Sequence, residues 1–467
     1  MSLVLLFSIL IKGIGALLEI VNQALITNTV GVAAYGEYAV YLNVIDVLFW
    51  VLFSGIIKCN AFYLSDASVS IRSYKKKYYL FYLLPVAVIA LALTLALRKW
   101  HYTFVIVTLF LYIVMYDSSS VTMARGHYYR SLVGEYAIGR LVNFGGILLL
   151  RLSGKMTVTA LLTVYFIQFA VVIVYYRIAT LIGKRDAAPT TEQHIPPQKV
   201  LRLQISDAGS GLVTQAPVIL QYVLAGAYYA GFVNIVVLVK RLVNFITGPT
   251  AKIFMPEFSR LYRANEPEGI RRFYSLVMQI QMLFIGMLAI PMLAFPDILL
   301  RIFSEELIDH ITMFRVVSLI FLVSATLGPT TSLLDMTGRE RTGNIVKLIS
   351  IILMVITWCV MYPFSPLFSL FGLCVQAAVE TAAKFILAVR WFGRLPQPLW
   401  RYLLMWLPAI VVGSVVMIFP VPSNIPAMIL AEVAMGILTV AVFFVDPATR
   451  KMILEKLRSY RGKKSEP

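Results

Sequence analysis

The sequence predicts an all-α, polytopic membrane protein of about fourteen transmembrane helices, arranged as two six-helix lobes followed by two further helices. Three observations carry that prediction. The 467 residues are 60% hydrophobic and only 14% charged, where an ordinary soluble domain carries about a quarter charged residues; too little polar sequence remains to cover a water-soluble core. Apolar runs recur from end to end, each near the roughly 20 residues that cross about 30 Å of hydrocarbon as a helix. Lys and Arg collect in alternate connections. A water-soluble enzyme is excluded.

The first run, 4–26, lacks a basic leader and a small-residue cleavage site, so it reads as a retained span and not a signal peptide. A turn leads to the second span, 34–57. Beyond a basic stretch come 78–97 and 103–123, separated only by Arg98-Lys99-Trp100-His101. Spans 132–151 and 157–181 complete an N-terminal lobe, 1–182. The longest polar interruption, Gly183 to Arg202, is proline-rich, as a linker over 183–203 should be. The second lobe, 204–390, holds 204–225, 229–250, 273–295, 311–333, 343–362 and 367–389. Residues 391–445 add two helices, 402–420 and 425–445, and 446–467 form a basic tail.

Charge sets the orientation. Leaving out Lys58 at the edge of the second span, the even-numbered connections and the tail hold 27 of the 41 Lys and Arg residues, the opposite connections five. Cations stay preferentially on the cytoplasmic side, so both termini are expected there. The same asymmetry accounts for most of the net charge of +18, and no nucleic-acid partner is needed to explain it; the tail reads as an anchor near anionic membrane lipids. The three cysteines (Cys59, Cys359, Cys374) and four histidines (His101, His127, His194, His310) lack metal-ligand spacing. Neither a metal nor a cofactor is expected.

A shift of 194 residues sets Ala33, Tyr35, Lys58 and Ser65 on Ala227, Tyr229, Lys252 and Ser259. Both stretches share one plan: an outer aromatic turn, a span, then a lysine and a serine at its inner end. Short Gly/basic turns, Met123–Arg130 and Met336–Arg341, follow the fourth and tenth spans. Repeated bundles of this kind are common in transporters.

Four segments carry a family resemblance. NTVGVAAYGEYAVYLNVIDVLF (28–49) resembles the opening turn of the bacterial polysaccharide-biosynthesis flippases. GPTAKIFMPEFSRLYRANEPEGIRRFY (248–274) resembles their element after the eighth span, and GPTTSLLDMTGRERTGNIVKLISII (328–352) with FSLFGLCVQAAVETAAKF (368–385) their tenth-to-twelfth-span region. The resemblance implies the fold of the multidrug/oligosaccharidyl-lipid/polysaccharide exporter superfamily, which is MATE-like, with two six-helix lobes around a central cavity and alternating access. It further implies an O-antigen-type, undecaprenyl-pyrophosphate-linked oligosaccharide as cargo, the bacterial inner membrane as location, no enzymatic activity, and other polysaccharide-assembly proteins as further partners. One departure stands out: the peptidoglycan-precursor flippases of this superfamily carry an Arg-Asp pair late in the first span, where this chain has Asn22 and Gln23.

Charges at span depth cost roughly 2.5–3.5 kcal/mol each on insertion scales and usually face a cavity or a partner. Lys58, Arg177 and Lys347 lie near span ends, where a long stem reaches the headgroups. Glu380 and Lys384, four apart with the acid first, are expected to pair structurally. A deeper group remains: Lys12 and Glu19 on one face of the first span, Asp46 in the second, Arg140 in the fifth, Asp207 in the seventh, and Lys240-Arg241 in the eighth. The resemblance implies that the first, second, seventh and eighth spans line the cavity. A diphosphate in low dielectric needs compensating charge, which Arg supplies as a fork and Lys as a point charge. Lys12, Arg140, Lys240 and Arg241 are therefore the candidate pyrophosphate-binding residues, and Glu19, Asp46 and Asp207 the candidate cavity or coupling acids. The competing reading of each is an interlobe or intrahelical salt bridge.

Glycines and prolines in the seventh and eighth spans (Gly209, Ser210, Gly211, Pro217, Gly248, Pro249) are read as bends or as close packing. Tyr222, Tyr228, Tyr229 and Phe232 read as an interfacial aromatic belt more than as a sugar platform. Two other functions compete: a cation-coupled multidrug exporter of the same fold, against which the deep cations argue, and a membrane glycosyl polymerase or ligase, against which the short outer connections argue.

Overall fold

The computed structural model describes residues 2–64, 69–98, 101–182, 191–192, 197–419 and 422–445. Most of the expected linker 183–203 and all of the basic tail 446–467 lie outside the described residues; the linker's last residues, 197–203, are helical, so it ends earlier than the sequence suggests. Helix α1 (Ser2–Leu52) carries the first two spans in one rod, broken at Gly31, where φ is 83° and ψ 165°. Glycine takes that conformation without steric cost, so the expected turn narrows to a single residue. Helix α2 (Ser54–Tyr63) continues the second span past a non-helical Phe53. A two-residue strand β1 (Val69–Ser70) precedes α3 (Arg72–Leu97) and α4 (His101–Ala124). The fifth span is composite: α5 (Tyr128–Leu132), a π-helical turn at Val133–Ile138, and α6 (Gly139–Leu152). Helix α7 (Val158–Ile182) is the sixth. Strand β2 (Thr191–Glu192) pairs in parallel with β1, and its Glu192 carboxylate accepts the Ser73 amide at 2.7 Å. Among the described residues this pairing is the one departure from an all-helical chain.

Helices α8 (Pro197–Ala225) and α9 (Ala227–Arg263) meet at Gly226, with φ of 87°. The first and second spans and the seventh and eighth thus turn in the same way, each on one left-handed glycine. Then follow α10 (Pro267–Ala289), a π-helical turn at Ile290–Ala294, α11 (Pro296–Phe303), a 3-10 turn at Glu305–His310, α12 (Ile311–Thr326) and α13 (Thr330–Met336). Helices α14 (Glu340–Met361), α15 (Phe371–Phe392), α16 (Leu399–Ile418) and α17 (Ile425–Val445) complete the chain. Ten stretches of the described residues are long and apolar enough to cross a membrane, with Gly211–Ala225 and Trp400–Val416 as shorter apolar helices. Ile11–Leu52 covers the first two expected spans, and the expected eighth, 229–250, falls on helix α9.

Three expectations are corrected. The backbone stays helical through Gly248-Pro249 and on to Arg263, so those residues neither break nor end the helix; one lost backbone hydrogen bond and one glycine do not outweigh a 37-residue helix. Helix α8 likewise runs unbroken past Gly209–Gly211. At Gly211 the reason is packing: a β-carbon there would lie 2.5 Å from Trp50. Phe232 also leaves the aromatic belt, since it is fully buried, while Tyr222 is exposed.

The chain divides into two compact units, Met1–Ile235 and Val236–Pro467. Apolar surface gains little by leaving lipid, so close backbone approach and interhelical hydrogen bonds carry the association of the helices. In the first unit α8 packs along α1, and Phe49, Tyr112 and Phe169 form an aromatic core with successive ring centroids 4.8 and 4.9 Å apart. Gly134 sits against Tyr176 and Gly146 against Val164, where β-carbons would fall 2.7 and 2.5 Å from those side chains. In the second unit the Tyr274 hydroxyl donates to the Leu327 carbonyl at 2.5 Å within a core that includes Phe258 and Met278. Glu268 at the start of α10 accepts from Arg271 and Arg394 at 2.5 and 2.9 Å, tying α10 to the connection before α16.

Candidate functional site

The first unit assembles four of the embedded charges. Arg140 on α6 meets Glu19 on α1 at 3.0 Å, with the two side chains 31% and 22% exposed. Lys12, seven residues before Glu19 and on the same face, places its Nζ 5.2 Å from the centre of the Tyr136 ring. Glu135 joins them from the π-helical turn: it accepts from Ser119 Oγ at 3.2 Å, and Lys12 and Arg140 both act on its carboxyl electrostatically. Glu135 and Tyr136 are not among the candidates read from sequence. In a regular helix five residues between Glu135 and Arg140 put them on different faces; the π turn, closed by the Gly139 amide on the Gly134 carbonyl, changes that phase. Such turns often re-aim side chains at functional sites. No sequence signal marks it beyond a carboxylate at span depth.

The sequence alone suggests a cationic patch here. The structure shows a balanced one, with two cations facing two carboxylates. Gly15 allows the approach, since a β-carbon there would lie 3.1 Å from the Tyr136 carbonyl and 3.7 Å from Arg140 Cγ.

A buried polar chain leads away from the ion pair. Gln23 Nε2 donates to Glu19 at 3.4 Å, Tyr35 donates to Gln23 Oε1 at 2.7 Å, Asn234 donates to the Tyr35 hydroxyl at 2.5 Å, and Asn43 donates to Asn234 Oδ1 at 3.3 Å. Asn22, beside Gln23 in sequence, donates to Asn143 Oδ1 at 2.9 Å. The two amides that stand where the peptidoglycan-precursor flippases carry Arg-Asp are thus committed to partners within the unit. Asp46 accepts from Gln215 on α8 at 3.0 Å. Asp207 lies on α8, but its side chain falls outside the described residues. At the basic end of α3, Lys75 pairs with Asp117 at 2.6 Å and Asn60 donates to the same oxygen at 2.9 Å.

The second unit holds its own row. Lys240 on α9 donates to Gln376 Oε1 at 3.1 Å and lies 5.6 Å from the Phe321 ring centre. Gln376 donates to Glu380 at 2.5 Å; Lys384 donates to Glu380 at 2.6 Å and to Thr331 at 2.9 Å. The expected Glu380–Lys384 pair is therefore present, with Lys384 fully buried, and it extends through Gln376 to Lys240. Arg241 is partly buried beside Lys240. Among the described residues, no group of three or more His, Cys, Asp or Glu side chains is placed to hold a metal ion.

No protein-family profile matches the chain, and no curated protein matches it in sequence. Solved structures do match its fold. An inward-facing multidrug resistance MATE family transporter of the MOP superfamily superposes with a TM-score of 0.65 at 11% identity, over 81% of this chain and 94% of that one. The lipid II flippase MurJ, in an inward closed conformation, superposes with a TM-score of 0.66 at 12% identity, over 94% of this chain and 99% of that one. The MATE multidrug transporter DinF-BH gives a TM-score of 0.57 at 14% identity, over 83% of this chain and 94% of that one. The fold is that of the MATE and MurJ-type membrane transporters. The MurJ superposition leaves about 28 residues of this chain unmatched, fewer than α16 and α17 contain, so it extends into the C-terminal pair of helices.

Proposed function

We propose that this chain is a flippase that carries undecaprenyl-pyrophosphate-linked oligosaccharide from the cytoplasmic to the outer leaflet of the bacterial inner membrane, by alternating access of lobes 1–182 and 204–390 about the linker 183–203. The observation that carries the proposal is the set of cations held at span depth in a fold shared with a lipid II flippase: Lys12 and Arg140 in one unit, Lys240 and Arg241 in the other. Both termini are cytoplasmic in this reading, on the side where Lys and Arg concentrate.

The ion pair suggests how cargo is received. Without cargo, Glu19 satisfies the Arg140 guanidinium. A pyrophosphate offers the same fork geometry with more charge and more acceptor oxygens, so it competes with Glu19 for Arg140 while Lys12 adds a point charge. Glu19, once displaced from Arg140, can shift together with Gln23, which donates to it and opens the Gln23–Tyr35–Asn234 chain. Cargo binding is thereby linked to the packing of α1 against α9 within the same unit.

The test is reconstitution. Purified protein in proteoliposomes should move an undecaprenyl-pyrophosphate oligosaccharide between leaflets, and undecaprenyl pyrophosphate should compete better than the monophosphate. Equal competition by the two would remove the pyrophosphate from the reading. A second reading, cation-coupled drug export, is favoured by one observation: the first unit's cations are matched by Glu19 and Glu135. It predicts efflux of a cationic dye by the same vesicles and no effect of undecaprenyl pyrophosphate.

A further inference from the structure

We propose that the groove between α3 and α8 on the first unit is a binding site for an anionic glycerophospholipid of the leaflet on the lysine-rich side. The groove encloses about 500 Å³, inside the roughly 300–1,000 Å³ range of small-molecule sites. Its walls are mainly apolar: Tyr74, Tyr78, Tyr82 and Phe81 from α3, facing Val200 and Leu201 from α8, with Lys77 at its rim.

The sequence builds this wall by helical spacing. Tyr74, Tyr78 and Tyr82 stand four apart on one stripe, with neighbouring ring centroids 6.2 and 4.4 Å apart. Lys77 and Phe81 form the next stripe. The floor is anchored: the Tyr78 hydroxyl shares its one hydrogen between the Leu52 carbonyl, 2.8 Å away, and Gln204 Oε1, and Gln204 in turn donates to the Val51 carbonyl. The mouth opens toward the surroundings of the span, since Phe81 is 75% exposed and Leu201 55%. A groove with that outlet on a membrane span faces acyl chains and not water.

Charge decides the headgroup. Lys77 stands in the same turns as Arg72 and Lys76, all three exposed, whereas Lys75 is already engaged by Asp117. Glu192 of the neighbouring segment accepts the Ser73 amide and interacts electrostatically with Lys77, so among these described residues one carboxylate stands against three exposed cations. Excess positive charge therefore remains at the rim, where tyrosines and lysines meet the headgroup level. An acyl chain in the aromatic groove with its phosphate on Lys77 fits both halves. The occupant would brace α3 against α8 beside the break at Phe53, where α1 passes into α2.

Delipidated full-length protein titrated with phosphatidylglycerol or phosphatidylcholine, and read by native mass spectrometry, tests this. Wild type should retain phosphatidylglycerol preferentially. The exposed substitution Lys77→Gln should weaken that retention about fivefold, the effect expected for one basic residue at a membrane surface, and leave phosphatidylcholine unchanged. Leu201→Trp, which fills the groove from an exposed position, should reduce both lipids. Inorganic phosphate should not displace the bound lipid. Equal retention of the two lipids by wild type, or unchanged phosphatidylglycerol retention in both variants, would overturn the proposal.

Discussion

Gly36 and Gly231 pack backbone against backbone. A β-carbon on Gly36 would fall 1.8 Å from the Ala227 carbonyl oxygen and 2.7 Å from the Gly231 nitrogen, and one on Gly231 would fall 2.5 Å from the Val32 carbonyl oxygen. The relation is reciprocal. Each glycine lies five residues after the left-handed glycine that turns its hairpin, Gly31 or Gly226, and each touches the residue that follows the other's turn. The internal repeat is plain as geometry, but at a shift of 195 residues, one more than the 194 at which the residue identities fall.

The first prediction concerns that contact. Gly36→Ala forces α1 and α9 apart, and overpacking of this kind costs about 1–3 kcal/mol. Thermal stability in detergent should fall, and a Glu37→Cys reporter should label faster with a membrane-impermeant maleimide. Gly145→Ala, with nothing within 4 Å of its β-carbon, should change neither. Equal behaviour of the two variants would refute the contact.

A second prediction separates the ion pair from its members. Arg140→Gln removes the guanidinium that meets Glu19, and Glu19→Gln removes the carboxylate that meets Arg140. Both should lower stability by about 1–2 kcal/mol, below the roughly 3–5 kcal/mol of a fully buried pair because both groups are partly exposed. The double variant should recover part of that loss. On the proposed competition, Glu19→Gln should also bind undecaprenyl pyrophosphate more tightly than wild type, which a purely structural pair would not do.

The third prediction is on the second unit. Lys384→Met strands Glu380 in a buried site and should cost about 3–5 kcal/mol, read as lost protein in the membrane. Glu380→Gln together with Lys384→Met should restore much of the protein and leave transport per molecule nearly intact. Gln376→Leu cuts the link to Lys240 while keeping the pair, so it should alter transport with little loss of protein.

A fourth prediction is topological. Reporters fused after Lys464 and near Asp186 should be cytoplasmic, and one near Glu305 should be outside. A cytoplasmic signal at Glu305 would reverse the charge-based orientation.

The spans are legible in the sequence because lipid imposes one rule on every segment: some twenty apolar residues with closed backbone hydrogen bonds. The Glu380–Lys384 pair is legible because four-residue spacing fixes a helical neighbour. The partners of Arg140 and Lys240 are not. Glu19 and Gln376 lie 121 and 136 residues away in sequence, and single-chain periodicity carries no information about which faces meet. Glu135 escapes for a different reason, since the π turn that re-aims it leaves the apolar pattern unchanged. The break expected at Gly248-Pro249 does not form, because proline and glycine weaken a helix locally without deciding whether a long one continues.

The most direct measurement is cell-surface glycan against membrane protein level in an Arg140→Ala, Lys240→Ala double variant. If these cations receive the pyrophosphate, export should be lost while the protein still inserts at normal amounts, and Lys240→Arg alone should be milder than Lys240→Ala because the charge is kept. Full export by the double variant at normal expression would contradict the account and put the drug-export reading ahead.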